Sequence, residues 1–328
     1  MIEFKNSCDN KHALTEFWKS SFGDSDAYIN MLYELGYLNP DNIFVLYDKN
    51  ELVSALAYTV YKLKLFNSEI DVPYLCYVAT LKKHRNKGYA SKIMHESIKE
   101  LYKRGFIFTS LIPSTLSLFD FYGRFGFTGV FNIYERKYIP EESSSSFEAA
   151  NNTDIGVLMS FYEKYKEKMK KCDVCVYRSK SLFESLIKEY SAGAGTDVIY
   201  NEKCIAFIEY SEDCIIIKEY AGEIDAQSIS DFFGKYVYLQ EPFIFAGIKK
   251  RLGMGRILNL HEFMARLPIN DYRFEFSVRD NIISENNISV GMDNKFIYHT
   301  ELSADINIDG FLNYILKNRT AYLNAMLN

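Results

Sequence analysis

Basic residues are the minority charge in this chain: 38 Lys and Arg stand against 43 Asp and Glu, for a formal net charge of −5. A surface that neutralises many phosphates needs the opposite balance, so nucleic acid is not expected as a main partner. No apolar run approaches the ~20 residues of a membrane-spanning helix, and no membrane partner is expected. The opening stretch MIEFKNSCDNKHALTEF lacks the basic-then-apolar order of a secretory signal. The expectation is a cytoplasmic protein. Cysteine is sparse, at positions 8, 76, 172, 175, 204 and 214, with no spacing that suggests a disulfide framework; reduced thiols fit the cytosol. Cys172-Asp173-Val174-Cys175 is a lone CxxC, short of the four ligands of structural zinc. HEFMA at 261–265 is not HExxH, and no metal is expected.

What is present is an ordinary globular profile, 48% hydrophobic and 25% charged, rich in Tyr (26) and Phe (25). At roughly 100–200 residues per domain, 328 residues make two or three domains. Residues 13–20 and 25–35 carry helical apolar spacing, with Asp24 or Ser25 placed to cap the second helix. NIFVLY and ELVSALAYTVYKL read as strands around the turn DKNE, and DVPYLCYVATL as a strand apolar enough for burial on both faces. A helix follows from Gly88 to Lys103, with Ile93, Met94, Ser97, Ile98 and Leu101 as its inward stripe. FIFTSLIP reads as a strand, LSLFDFYGRFGF as an aromatic helix and turn, NIYERKYI as a strand, and EESSSS at 141–146 as a linker.

Beyond the linker the order of elements recurs: helical spacing through Ile155, Leu158, Tyr162, Tyr165 and Met169, a helix at SLFESLIKEY, a strand meander, then helical AQSISDFFGKYV. That suggests a weak internal duplication. GIKKRLGMG at 247–255 lacks the Lys-Ser/Thr of a Walker A loop and reads as a basic connection. YRFEFSVRD alternates as a half-exposed strand, and IDGFLNYILKN and TAYLNAMLN read as helices. The expected division is 1–142, 147–248 and 254–328.

The stretch LCYVATLKKHRNKGYAS at 75–91 carries the chemistry. An apolar strand runs through a short basic loop into a helix N-terminus, where unpaired N–H groups and the helix dipole favour phosphate. Gly88 lets the backbone approach a ligand, Arg85 and Lys87 add positive charge, and Ala90 keeps the first turn small. The bland alternative is a βα turn with solvated charges. For Tyr122, inside FDFYGRFGF, it is core packing. For Asp24 and Asp26 it is a helix cap and a loop charge.

The pattern R-x-x-G-x-A after a strand, followed by a helix, a strand and an aromatic helix, resembles the acetyl-CoA motif of the GCN5-related N-acetyltransferases (GNAT). The resemblance covers residues 1–140. YGRFGF, the degenerate second half and the short C-terminal part resemble the Eis-like (enhanced intracellular survival) group. The implied fold is α/β: a GNAT mixed sheet flanked by helices, a degenerate GNAT-like second domain and a small sterol-carrier-like α+β C-terminal part. The resemblance implies an acetyl-CoA-dependent N-acetyltransferase acting on a small primary amine, by direct transfer without a covalent enzyme intermediate. It implies that Val78, Ala79 and Thr80 hold the pantetheine arm. Arg85, Asn86, Lys87, Gly88, Tyr89, Ala90 and Ser91 would cradle the pyrophosphate, while Ser117 and Leu118 border the cofactor. Tyr122 would protonate the departing thiolate. Asp24 and Asp26 would flank the acceptor amine, and the base is one of these two, water, or the C-terminal carboxylate of Asn328. The alternative from another class is a non-catalytic acyl-CoA-binding sensor or scaffold. A homo-oligomer stays open.

Overall fold

The computed structural model describes residues 2–8, 10–141, 147–150, 153–193, 195–241, 247–268, 271–293, 296–299 and 304–323. Most of the expected linker (142–146) and Asn328 lie outside the described residues. The chain divides into two compact units. The first joins Met1–Val130 to Gly253–Arg319; the second comprises Phe131–Leu252 and Thr320–Asn324.

The first unit begins with β1 (Ile2–Lys5), α1 (Lys11–Phe22) and α2 (Asp26–Glu34). Ser25 caps α2, its hydroxyl accepting from the Tyr28 N–H at 3.1 Å. The hairpin strands β2 (Ile43–Asp48) and β3 (Glu51–Leu65) follow, then β4 (Ser68–Thr80), α3 (Tyr89–Lys103), β5 (Phe108–Leu111) and α4 (Leu116–Gly123). β1 to β4 form an antiparallel ladder, and β5 joins β4 in parallel. The strand order β1-β2-β3-β4-β5 places β4 centrally, and Val72 to Cys76 are all buried, as their unbroken apolar run requires. α3 buries the five stripe residues named above together with Tyr89. It ends where Gly105 turns left-handed (φ 84°), which brings its N–H to the Tyr102 carbonyl at 2.9 Å.

The chain leaves this unit within β6 (Thr128–Tyr138). The second unit continues with β7 (Glu148–Ala149), α5 (Ile155–Met159), α6 (Tyr162–Met169), β8 (Val174–Tyr177), α7 (Lys180–Ala192), β9 (Thr196–Tyr200), β10 (Cys204–Tyr210), β11 (Cys214–Gly222), α8 (Ala226–Phe233) and β12 (Tyr236–Glu241). Its sheet runs β6-β12-β11-β10-β9-β7, with β11 and β12 parallel and α8 as the crossover between them. Cys172 and Cys175 are buried beside Tyr165 and Phe183. The helix expected over AQSISDFFGKYV stops earlier: Gly234 adopts φ 61° and caps α8, and Tyr236 and Val237 belong to β12.

Two further expectations are corrected. GIKKRLGMG is not a loop but most of β13 (Ile248–Ile257). Its C-terminal half lies in the first unit, where Met254 and Arg256 pair antiparallel with Leu111 and Thr109 of β5. The residues Ile248 to Arg251 are exposed, which hides the strand's alternation. TAYLNAMLN does not begin as a helix: Ala321–Leu323 form β18, parallel to β8, because Val174 N–H reaches the Thr320 carbonyl at 3.0 Å. Between β13 and β18 the first unit adds α9 (Leu260–Met264), β14 (Phe274–Arg279), β15 (Ile288–Asp293), β16 (Phe296–His299), β17 (Ala304–Asn307) and α10 (Ile308–Leu316). These last four strands form a separate sheet ordered β16-β15-β14-β17, and Phe274 and Phe276 meet Phe311 of α10 edge-on. The fold is mixed α/β throughout.

The Met254, Leu258, Ile282 and Ile283 side chains share one buried cluster with Phe119, Tyr122, Phe125 and Phe127. Fully buried Arg256 donates to both carboxylate oxygens of fully buried Asp280, at 2.8 Å each, and also to the Phe125 carbonyl. Asp280 is held in turn by the N–H groups of Ile282 and Ile283 (3.0 and 3.2 Å) and by Asn286 (2.9 Å). The turn after α4 is thereby fastened to residues far along the chain. Gly126 is required there, since a Cβ would overlap the Arg256 guanidinium.

Candidate functional site

β4 and β3 keep register up to Cys76, opposite Ala57, and resume at Ala79, opposite Ala55. One extra residue therefore bulges out of β4, and Tyr77 and Val78 have no partner in the register with β3. Tyr77 takes φ 51°, an uncommon conformation for an aromatic residue, and marks the bulge. On the other side, the parallel pairing with β5 covers Tyr74 and Leu75, and β5 ends at Leu111. Among the described residues, β4 therefore offers unpaired backbone groups on a wall that no neighbouring strand covers. A ligand strand or a carbonyl oxygen can use them.

The loop from β4 to α3 is built to expose N–H groups. Asn86 (φ 63°) and Gly88 (φ 81°) are both left-handed, and Gly88 caps α3 without any side-chain acceptor. Alternating backbone handedness before a helix N-terminus forms a concavity for an anion. A Cβ on Gly88 would meet nothing within 4 Å, so its left-handed φ, not crowding, requires glycine there. Charges from the β2–β3 turn brace the loop. Glu51 pairs with Lys83 and with His84 Nε2 at 3.0 Å; Tyr89 donates to Asp48 at 2.7 Å. That hydrogen bond holds the Asp48 carboxyl below its ordinary value and pushes the Tyr89 phenol up. Arg85 Nε donates to the Thr80 carbonyl at 3.3 Å.

A cleft of about 580 Å³ lies along this wall. Val78, Ala79, Thr80, Arg85, Asn86 and Gly88 line it. So do Tyr89, Ala90, Ser91, Leu118 and Tyr122. Lys87 and Ser117 are exposed and outside the lining; Lys87 Nζ lies 3.3 Å from His84, and the Ser117 hydroxyl 3.0 Å from that of Thr115. A second cavity, of about 300 Å³, shares Phe22, Val78, Leu118 and Tyr122 with the first and adds Asp24, Cys76 and Tyr77. Asp24 accepts from the Tyr77 hydroxyl at 3.0 Å. Asp26 points elsewhere, to Lys19 at 3.0 Å on the surface.

Tyr122 stands where the two cavities meet. Its ring packs edge-on against Phe121 and Phe127, and its hydroxyl has no hydrogen-bond partner among the described residues. Burial pushes the phenol up to about 12, so it keeps its proton at neutral pH. The Cys76 thiol in the wall of the second cavity is also pushed up to about 12 by burial.

Several lining residues had no signal in the sequence. Tyr77 is marked only by its bulge, and its ring stands edge-on to Trp18 and Phe22 at 5.1 and 5.2 Å. Burial pushes its phenol well up. Arg124, exposed at the cleft, could have been suspected from its place two residues after Tyr122. The arrangement fits a molecule with phosphates at the Arg85–Gly88 loop and a reactive carbonyl near Val78 and Tyr122.

Residues 7–130 match the acetyltransferase (GNAT) domain family. GNAT acetyltransferases take acetyl-CoA as co-substrate. A sequence comparison with curated proteins gives no match. Solved structures share the fold at low identity. A conserved Enterococcus faecalis protein described as a "probable N-acyltransferase" matches with a TM-score of 0.75 and 13% identity, over 96% of this chain and 90% of that one. Eis1 from Mycobacterium abscessus matches with a TM-score of 0.70 and 13% identity, over 96% and 89%. A GCN5-related N-acetyltransferase from Kribbella flavida matches with a TM-score of 0.71 and 11% identity, over 95% and 87%. Among the described residues, no helix is long and apolar enough to cross a membrane.

Proposed function

We propose that this protein transfers the acetyl group of acetyl-CoA directly to a primary amine on a small molecule, with Tyr122 as general acid. The observation that carries this reading is the unpartnered Tyr122 hydroxyl at the junction of a phosphate-cradling cleft and a cavity holding Asp24. The loop from Arg85 to Ser91 would take the pyrophosphate. The β4 segment Val78–Thr80 would bind the pantetheine arm, and the bulge would turn a free N–H toward the thioester oxygen, stabilising charge as it develops there. Binding both reactants side by side removes the entropy cost of their encounter.

The amine must arrive neutral or lose its proton at the site. Asp24, oriented by Tyr77, would hold it and take that proton directly or through water; Asp26 would act at longer range. The C-terminal carboxylate of Asn328 belongs to residues outside those described. We extend the proposal to an Eis-like arrangement: catalysis in 1–142, a degenerate GNAT-like copy in 147–248, and a small sterol-carrier-like α+β part in 254–328. Incubation with acetyl-CoA and a panel of polyamines, aminoglycosides and lysine peptides, read as free thiol, tests the reading. Turnover on at least one amine is expected. Acetyl-CoA binding with no turnover on any amine would replace this reading with an acyl-CoA sensor.

A further inference from the structure

The second unit contains a cavity of about 650 Å³. Its place in the element order matches that of the cleft in the first unit. β11 leads through a turn into α8 and then into parallel β12, as β4 leads into α3 and β5. The pairing of β11 with β12 runs to Ile217 opposite Leu239; beyond it Tyr220 and Gly222 of one strand and Glu241 of the other line the cavity. Gly222 is left-handed (φ 94°), and a Cβ there would overlap the Lys203 carbonyl, so the turn closes tightly at the rim. The fold has kept the opening and changed its chemistry.

Lys168, on α6, lines the cavity with only 12% of its side chain exposed. Its ammonium sits 3.1 Å from the centre of the Tyr220 ring and 3.9 Å from Glu241 Oε1, too far for a hydrogen bond. No acceptor among the described residues satisfies its N–H donors. A nearly buried ammonium in this state is costly, and burial lowers its pKa to about 8. The ammonium, paired with Glu241 only at ion-pair distance, is therefore open to donate a hydrogen bond to an anionic or carbonyl oxygen of a ligand. A phosphate is a poor candidate: five glutamates line the cavity with four lysines, and Asp225 already caps the N-terminus of α8, accepting from Ser228 N–H at 3.1 Å. A lining of both signs suits a ligand of both signs. One carboxylate would reach Lys168, and one ammonium would face rim glutamates such as Glu202 and Glu223.

We propose that this cavity binds a free α-amino acid, with its carboxylate on Lys168 and its ammonium at the glutamate rim. The claim does not depend on the reaction assigned to the first unit.

Full-length protein is titrated with each of the twenty L-amino acids, and with acetate and inorganic phosphate, by calorimetry and thermal unfolding without acetyl-CoA. At least one amino acid is expected to bind saturably and more tightly than acetate or phosphate. Lys168→Met and the exposed Glu223→Lys should each weaken it roughly 10- to 100-fold, the loss expected for one charge-assisted contact. Glu223→Lys leaves the interior intact, so it serves even if Lys168→Met does not fold. No binding by any amino acid, acetate or phosphate binding as tightly, or binding indifferent to Glu223→Lys overturns the proposal.

Discussion

Replacing Tyr122 by Phe separates chemistry from architecture. The hydroxyl makes no hydrogen bond among the described residues, so its removal leaves no partner unsatisfied, and the ring contacts with Phe121 and Phe127 persist. Stability at pH 7 should change by no more than about 0.5 kcal/mol. If the phenol donates its proton in the transition state, kcat should fall about 10²- to 10⁴-fold, a barrier increase of about 2.7–5.4 kcal/mol, with KM for acetyl-CoA little altered. The pH dependence adds a second constraint. With the phenol pushed up to about 12, Tyr122 stays protonated through the whole neutral and mildly alkaline range, so the wild-type rate should show no alkaline fall from this group below pH of about 11. The folded value lies above the unfolded one, near 10. Its stabilising effect is complete below pH of about 10 and is lost, about 3 kcal/mol in all, as pH rises toward about 12; the Phe variant should lack this share of alkaline destabilisation. The assay is thiol release against pH, paired with thermal melts of both proteins. Unchanged kcat would refute the assigned acid. A large fall in melting temperature alongside kcat would mean that the hydroxyl is structural.

Asp280→Ala would leave Arg256 buried without its carboxylate; removal of one member of such a pair costs about 3–5 kcal/mol, or about 6–20 °C in melting temperature at this size, measured by circular dichroism. Asp24→Asn can still accept from Tyr77 but loses its charge. It should raise KM for a cationic amine by roughly 10- to 100-fold and leave KM for acetyl-CoA and the melting temperature unchanged; steady-state kinetics with each substrate varied in turn reads the difference.

What the sequence made legible was local. The α3 stripe, the cap at Ser25 and the loop around Gly88 each follow from spacing or backbone preference within a few residues, and the structure places them as their chemistry predicts. What stayed hidden depended on distant partners. Nothing in GIKKRLGMG announces a strand, because two glycines and exposed Lys249, Lys250 and Arg251 mask it until β5 supplies the ladder. Ala321–Leu323 has helical neighbours in its apolar pattern but is extended because β8 pairs with it. Arg256 and Asp280 look like surface charges in a linear reading; only folding shows that each buries the other. Most of the cleft lining was readable because one contiguous stretch, β4 to α3, builds it. Tyr77 was not, since a bulge is set by the register of two strands and leaves no mark on its own residue.

The first unit is interrupted in the chain, and this bears on how it is made. Its β5 edge is covered by Met254–Ile257, and the turn after α4 is fastened by Arg256 and Asp280. A ribosome releases those residues only after the whole of Phe131–Leu252 has emerged. The Met1–Val130 part of the first unit is therefore completed late. Until then it carries an open strand edge, the feature that invites mispairing. An expression clone ended after the first 142 residues would hold it permanently in that unfinished state, so a soluble catalytic fragment should need the returning segment as well.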